Sequence, residues 1–153
     1  MTDPKLIAAQ AEERFQKGFN CAESTSMALL EGIGIQCSCL PGLATAMGGG
    51  VGHSGGICGA ITGAAMAIGL ASTRLNLKDH GAEKQWANGV AGELIDAFKR
   101  EHSHLECRKL INIDFRSPDW VEEYRGHGCK QMCDSFVRFA AEWAARRLAA
   151  EGL

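Results

Sequence analysis

Gly48-Gly49-Gly50-Val51-Gly52-His53-Ser54-Gly55-Gly56 runs directly into Ile57-Cys58-Gly59-Ala60-Ile61-Thr62-Gly63-Ala64-Ala65-Met66-Ala67-Ile68-Gly69-Leu70-Ala71, and the reading of this join decides the fold. The first part holds six glycines, too flexible for regular structure. It sits in a stretch, residues 32–73, without a single Lys, Arg, Asp or Glu, so a membrane span has to be weighed. A spanning helix needs about 20 predominantly apolar residues. This stretch is cut by Pro41 and the glycine run, carries His53, and consists mostly of Gly and Ala rather than Leu and Ile. Residues 57–71 are too few and too weakly apolar to span, and read instead as a helix buried on all sides in a protein core. Gly59 and Gly63 are four apart, so they share one face and permit close approach of another backbone.

On either side the pattern is helical. Asp3-Pro4 supplies an N-cap acceptor before a proline at the first helical position. Leu6, Ile7 and Phe15 mark one face, and Gly18 stops the helix. Asn20-Cys21-Ala22-Glu23 resembles a capping box, opening a helix to about Glu31 with Met27 and Leu30 inward. Residues 33–41 read as a loop holding Cys37 and Cys39, and 43–47 as a short helix. Beyond the join, Trp86, Val90, Leu94 and Phe98 recur every four residues in a helix over 82–102. Residues 107–111 form a short helical turn, and Ser117-Pro118 caps another short helix ending at Gly126. The last helix starts at Cys129 or Lys130 and runs to Ala150, with Met132, Phe136, Phe139 and Trp143 on one face. No segment alternates as a strand does, and there is no repeat or linker. The expected fold is all-α, a single domain over residues 1–153: a compact bundle of about five to seven helices with a glycine-rich loop.

Composition narrows the function. With 153 residues and a hydrophobic fraction of 46% the chain can bury a core, so its seven cysteines are not needed as staples. A net charge of -2 without a basic run argues against nucleic acid as the main partner. Residues 1–5 lack a charged segment followed by an apolar one, which points to a cytoplasmic, reducing compartment. Seven is odd, so at least one thiol stays unpaired within a monomer.

Two of the cysteines fall at expected helix N-termini: Cys21 beside the cap residue Asn20, and Cys58 at the exit of the glycine-rich loop. The partial positive charge there favours a thiolate, the form that attacks disulfides and binds metals, and should lower the thiol pKa toward neutrality. The alternative is that they are small buried hydrophobes. A phosphate cradle at the glycine run lacks both the strand and acidic residue of a dinucleotide site and the Gly-Lys-Ser/Thr of a P-loop. Close backbone packing explains the run better.

Taken in order, Phe19-Asn20-Cys21-Ala22-Glu23, the glycine run, Cys58-Gly59-Ala60-Ile61-Thr62-Gly63-Ala64, Cys107-Arg108-Lys109-Leu110-Ile111 and Cys133-Asp134-Ser135-Phe136-Val137 resemble the C_GCAxxG_C_C family of small redox-active proteins. The resemblance spans residues 15–137. It implies that the four characteristic cysteines are Cys21, Cys58, Cys107 and Cys133, with Cys37, Cys39 and Cys129 as extras. It implies a redox site and names no substrate.

Four such cysteines suit either an iron–sulfur cluster, or less readily a zinc, or dithiol–disulfide exchange with a partner. No C-x-x-C is present, so neither a thioredoxin-like nor a ferredoxin-like run exists. The expectation leans toward a cluster on Cys21, Cys58, Cys107 and Cys133, with Cys129 or His53 as further ligands. Cys129 and Cys133 would share a face if the last helix holds both, and His127 stands beside them. Rival functions are a zinc-binding or structural module and a thiol enzyme with Cys58 as nucleophile and His53 as base. His102 and His104, at a helix end, are expected to complement its dipole. The implied partner is a redox protein, with a homodimer left open.

Overall fold

A computed structural model describes residues 2–153. Among them are eight helices and no named strand: α1 Pro4–Gln16, α2 Cys21–Gly32, α3 Gly42–Thr45, α4 Gly59–Ser72, α5 His80–His102, α6 Cys107–Ile111, α7 Trp120–Gly126 and α8 Cys129–Ala149. The fold is all-α, as its periodicity implies. The count exceeds seven because α3, α6 and α7 are separate short helices.

Local chemistry sets the ends. The Asp3 side chain accepts from the Lys5 amide at 2.8 Å ahead of Pro4. Asn20 and Glu23 form the expected box: the Asn20 side chain accepts from the Glu23 amide at 2.9 Å and Glu23 accepts from the Asn20 amide at 2.8 Å. This box also anchors α3, since Glu23 accepts from the Thr45 hydroxyl at 2.6 Å and the Asn20 amide group donates to the Thr45 carbonyl at 2.9 Å. Helix α5 starts two residues before its expected position because Asp79 caps it, accepting from Ala82 N–H at 2.8 Å.

Packing pairs α1 with α8 and α2 with α4, while α8 also touches α2 and α4, and α5 covers α4. Helix α2 lies deepest, with Ala22 through Ser26 all buried. Helix α4 buries Ala60, Ala64, Ala67 and Ala71 completely. The buried stripe of α8 differs from the expected one. Cys129, Cys133, Phe136, Val137, Ala140, Ala141, Ala144, Ala145 and Leu148 face inward, while Met132 is exposed and Phe139 and Trp143 lie at the margin. Alanines win the central position because small side chains let α8 approach three neighbours at once. Leu6 likewise points outward, leaving Ile7, Ala8, Ala11 and Phe15 as the inner face of α1.

Helices α4 and α2 cross at close range. A methyl group on Gly63 would lie 2.9 Å from the Ala22 Cα, and one on Gly59 would lie 3.1 Å from the Cys21 Cβ. Gly63→Leu should therefore overpack this crossing and cost about 1–3 kcal/mol or more, read as a lower midpoint in thermal or urea unfolding. An unchanged midpoint would mean that the two helices can separate freely here.

Candidate functional site

The glycine-rich loop is a doubled-back segment that ends in a short clasp. Gly49 and Gly50 have φ of +63° and +74°. Their carbonyls accept from the Gly55 and Gly56 amides at 3.0 and 3.1 Å. A methyl group on Gly50 would lie 2.8 Å from the Gly55 carbonyl carbon, so only glycine fits the return. Residues 55–58 then run antiparallel to residues 105–108. The Cys107 amide donates to the Gly56 carbonyl at 2.6 Å and the Cys58 amide to the Leu105 carbonyl at 2.8 Å, around the bridge pair Ile57 and Glu106. Side chains alternate along extended backbone, so the neighbours of an outward pair point inward. Ile57 is exposed while Cys58 and Cys107 are buried. Sequence reading placed Ile57 in a helix; the clasp holds it in a bridge, and Cys58 is the N-cap of α4.

The other two cysteines come from helix starts. Cys21 is the first residue of α2, and Cys133 lies one turn into α8. Cys21, Cys133 and Tyr124 of α7 lie close enough to perturb one another's ionisation. Cys21, and after it Tyr124, draw the Cys133 thiol below its ordinary range despite burial. Cys21 moves the opposite way, pushed up by the same partner and by burial. Burial and then the charge of Cys133 push Tyr124 up, so its hydroxyl keeps its proton.

The expectation of thiolates at Cys21 and Cys58 is thereby corrected. Burial pushes Cys58 up to about 12, although the Ala60 and Ile61 amides at the start of α4 pull the other way. Cys107 also rises to about 12, chiefly through burial. The helix-end amides act as expected but are outweighed.

A cavity of about 420 Å³ opens beside this pair. Cys21, Cys107 and Cys133 contribute to its lining, together with the rings of Phe15, Phe115, Trp120 and Tyr124 and the cations Arg125 and Lys130. His53 also lines it, held at φ +56° with its ring 5.2 Å from that of Phe115 and 5.3 Å from that of Trp120. Cys58, the candidate nucleophile, does not line this cavity.

The remaining candidates lie elsewhere or have other partners. Cys37 and Cys39 border a separate apolar cavity with Leu43, Met66 and Leu70. Cys129 does share α8 with Cys133, but it is buried and its thiol donates to the Ile111 carbonyl at 3.7 Å. His127 and His104 are exposed. His102 sits among the rings of Phe98, Phe136 and Phe139, where burial lowers its pKa, so it is not the helix-end cation expected. Among the described residues no group of three or more His, Cys, Asp or Glu is disposed to hold a metal ion.

Sequence reasoning missed Tyr124, Phe115, Trp120, Arg125 and Lys130. One signal was available: Trp120 and Tyr124 are four apart on a helix that buries none of its residues, so their shared face borders an opening.

The model of a family described as "Putative redox-active protein (C_GCAxxG_C_C)" matches residues 19–147, and the chain belongs to that family. No curated protein and no solved structure matches the chain.

The buried thiols make stability pH-dependent. Unfolded, Cys58 and Cys107 ionise near 9.0; folded, they stay neutral to about 12. Their contribution is thus complete below about 9 and is lost as pH rises through about 12. Each thiol can supply at most about 1.4 kcal/mol per pH unit of that fall. Urea unfolding across this range should show a shallower fall for Cys58→Ala than for the parent chain. An identical slope would refute burial of a neutral thiol.

Proposed function

We propose that the protein carries out thiol–disulfide redox chemistry through the Cys21–Cys133 pair. The observation that carries this reading is the meeting of Cys21 and Cys133 at the wall of one cavity, with Tyr124 beside them. The pair separates their roles. Cys133 ionises first, so it is the attacking thiolate; Cys21 keeps its proton until a bond to Cys133 can form. On oxidation Cys133 attacks the oxidant. Cys21 then loses its proton and attacks the Cys133 sulfur, closing the disulfide. Tyr124 holds the Cys133 sulfur in place and remains neutral. Cys58 and Cys107, one on each side of the clasp and both buried, would be a second pair held in reserve. A reducing, cytoplasmic setting suits such free thiols.

Cluster ligation is the second reading. It is supported by the charge effects that Cys133, Cys58 and Cys107 exert on Cys21. Cys21, Cys58, Cys107 and Cys133 would be its ligands, and it would require the sulfurs to draw together on loading.

Mild oxidation with diamide followed by peptide mapping should join Cys21 to Cys133 first. Alkylation of Cys133 should have a midpoint below the ordinary thiol value of about 8.5, rising in Tyr124→Phe. A first disulfide between Cys58 and Cys107 would transfer the role to the clasp. A brown anaerobic preparation containing iron and sulfide, bleached by replacing any of the four cysteines with Ser, would establish the cluster instead.

A further inference from the structure

We infer that the cavity beside Cys133 receives a small, flat quinone bearing an acidic group, and that this molecule is the oxidant of the Cys21–Cys133 pair. The inference rests on the dithiol reading of the site.

Three observations select this class. At about 420 Å³ the cavity has the size of a small-molecule site. The sulfur of Cys133 is recessed, with the residue only 5% exposed, so a protein-borne disulfide would have to reach into the cavity whereas a small molecule can enter it. The rings of Phe15, Phe115, Trp120 and Tyr124 supply faces and edges for a conjugated ring. A linear aliphatic disulfide would leave those faces unused.

Charge and hydrogen bonding add direction. Arg125 and Lys130 line the same cavity, and among the described residues neither takes part in an ion pair. Two uncommitted cations beside an apolar, ring-walled space suit a ligand with a carboxylate, sulfonate or phosphate at one end. Tyr124, whose proton is retained, lines the cavity beside Cys133, and its single O–H can turn to a ring carbonyl oxygen once the Cys133 sulfur has bonded to the ring and lost its charge.

The reaction balances with the quinone as sole oxidant. Cys133 thiolate bonds to a ring carbonyl carbon. Cys21 gives up its proton and attacks the Cys133 sulfur; the new carbon–sulfur bond breaks, and its electron pair passes to the ring. The dithiol loses two electrons and two protons and gains one sulfur–sulfur bond. The quinone gains both electrons and both protons and leaves as the hydroquinone.

Anthraquinone-2-sulfonate is a suitable reagent, mixed without oxygen with the reduced protein. It should quench tryptophan fluorescence, an effect reduced in Trp120→Phe, and yield one hydroquinone for each Cys21–Cys133 disulfide formed. The double variant Arg125→Ala/Lys130→Ala, checked by its thermal melt, should bind the sulfonate about tenfold more weakly. It should bind the uncharged hydroxymethyl analogue as the parent does. Equal binding of the sulfonate to parent and double variant would overturn the inference. So would faster oxidation by the linear acidic disulfide dithiodiglycolate. Absence of quinone binding while diamide still joins Cys21 to Cys133 would sink the quinone alone; failure of diamide to join them would remove both the quinone and the dithiol reading.

Discussion

Where α4 crosses α2, Gly63 lies against the backbone of Ala22 with no room for a side chain. One turn earlier Gly59 meets Cys21 and the carbonyl of Met47 at similarly close range. This contact sets the two helix starts side by side, so Cys21 and the Cys58 cap share one end of the bundle. Helix α8, with its alanine stripe, closes over both helices and delivers Cys133 to the same place. The clasp between residues 55–58 and 105–108 then adds Cys107. Four cysteines separated widely along the chain are thus brought to one end of the bundle, largely through backbone approach.

The chemistry of those sulfurs is a contest between two effects of different size. A helix N-terminus offers a thiolate about 0.3–1 kcal/mol in exposed settings, less than one pKa unit. Full burial can move a thiol by several units the other way. At Cys58 both act, and burial prevails. At Cys133 burial also opposes ionisation, but Cys21 and Tyr124 beside it outweigh burial and lower its pKa. Acidity is therefore set by the groups beside a thiol more than by a helix start: Cys21, Cys58 and Cys107, all at helix starts, are pushed up.

Much of the architecture was legible because it is local. The capping box at Asn20 and Glu23, the proline entry at Pro4 and the four-residue repeat of Val90, Leu94 and Phe98 each follow from neighbours a few positions apart. The closeness forced by Gly59 and Gly63 was legible as well, since a shared face of glycines has few other uses. What was not legible depends on partners distant in sequence. The bridge at Ile57 and Glu106 leaves no alternating pattern, being too short to have one. The inner face of α8 was misjudged because bulk was taken as the sign of burial, whereas its neighbours demanded alanine. Tyr124 joins the site only through tertiary folding of a segment that carries no motif, whereas His53, named from the glycine run, does line the cavity.

The separation of Cys21 and Cys133 along the chain has a thermodynamic corollary. A covalent link between them would enclose more than a hundred residues, from the start of α2 to the first turn of α8, within one ring. By chain-entropy reasoning, a ring of that size disfavours the unfolded ensemble by about 4.7 kcal/mol. The folded dithiol and disulfide need differ little, since both cysteines already line the same cavity. The two redox states would then differ chiefly when unfolded, so the electrons held at this site would govern how readily the entire molecule opens.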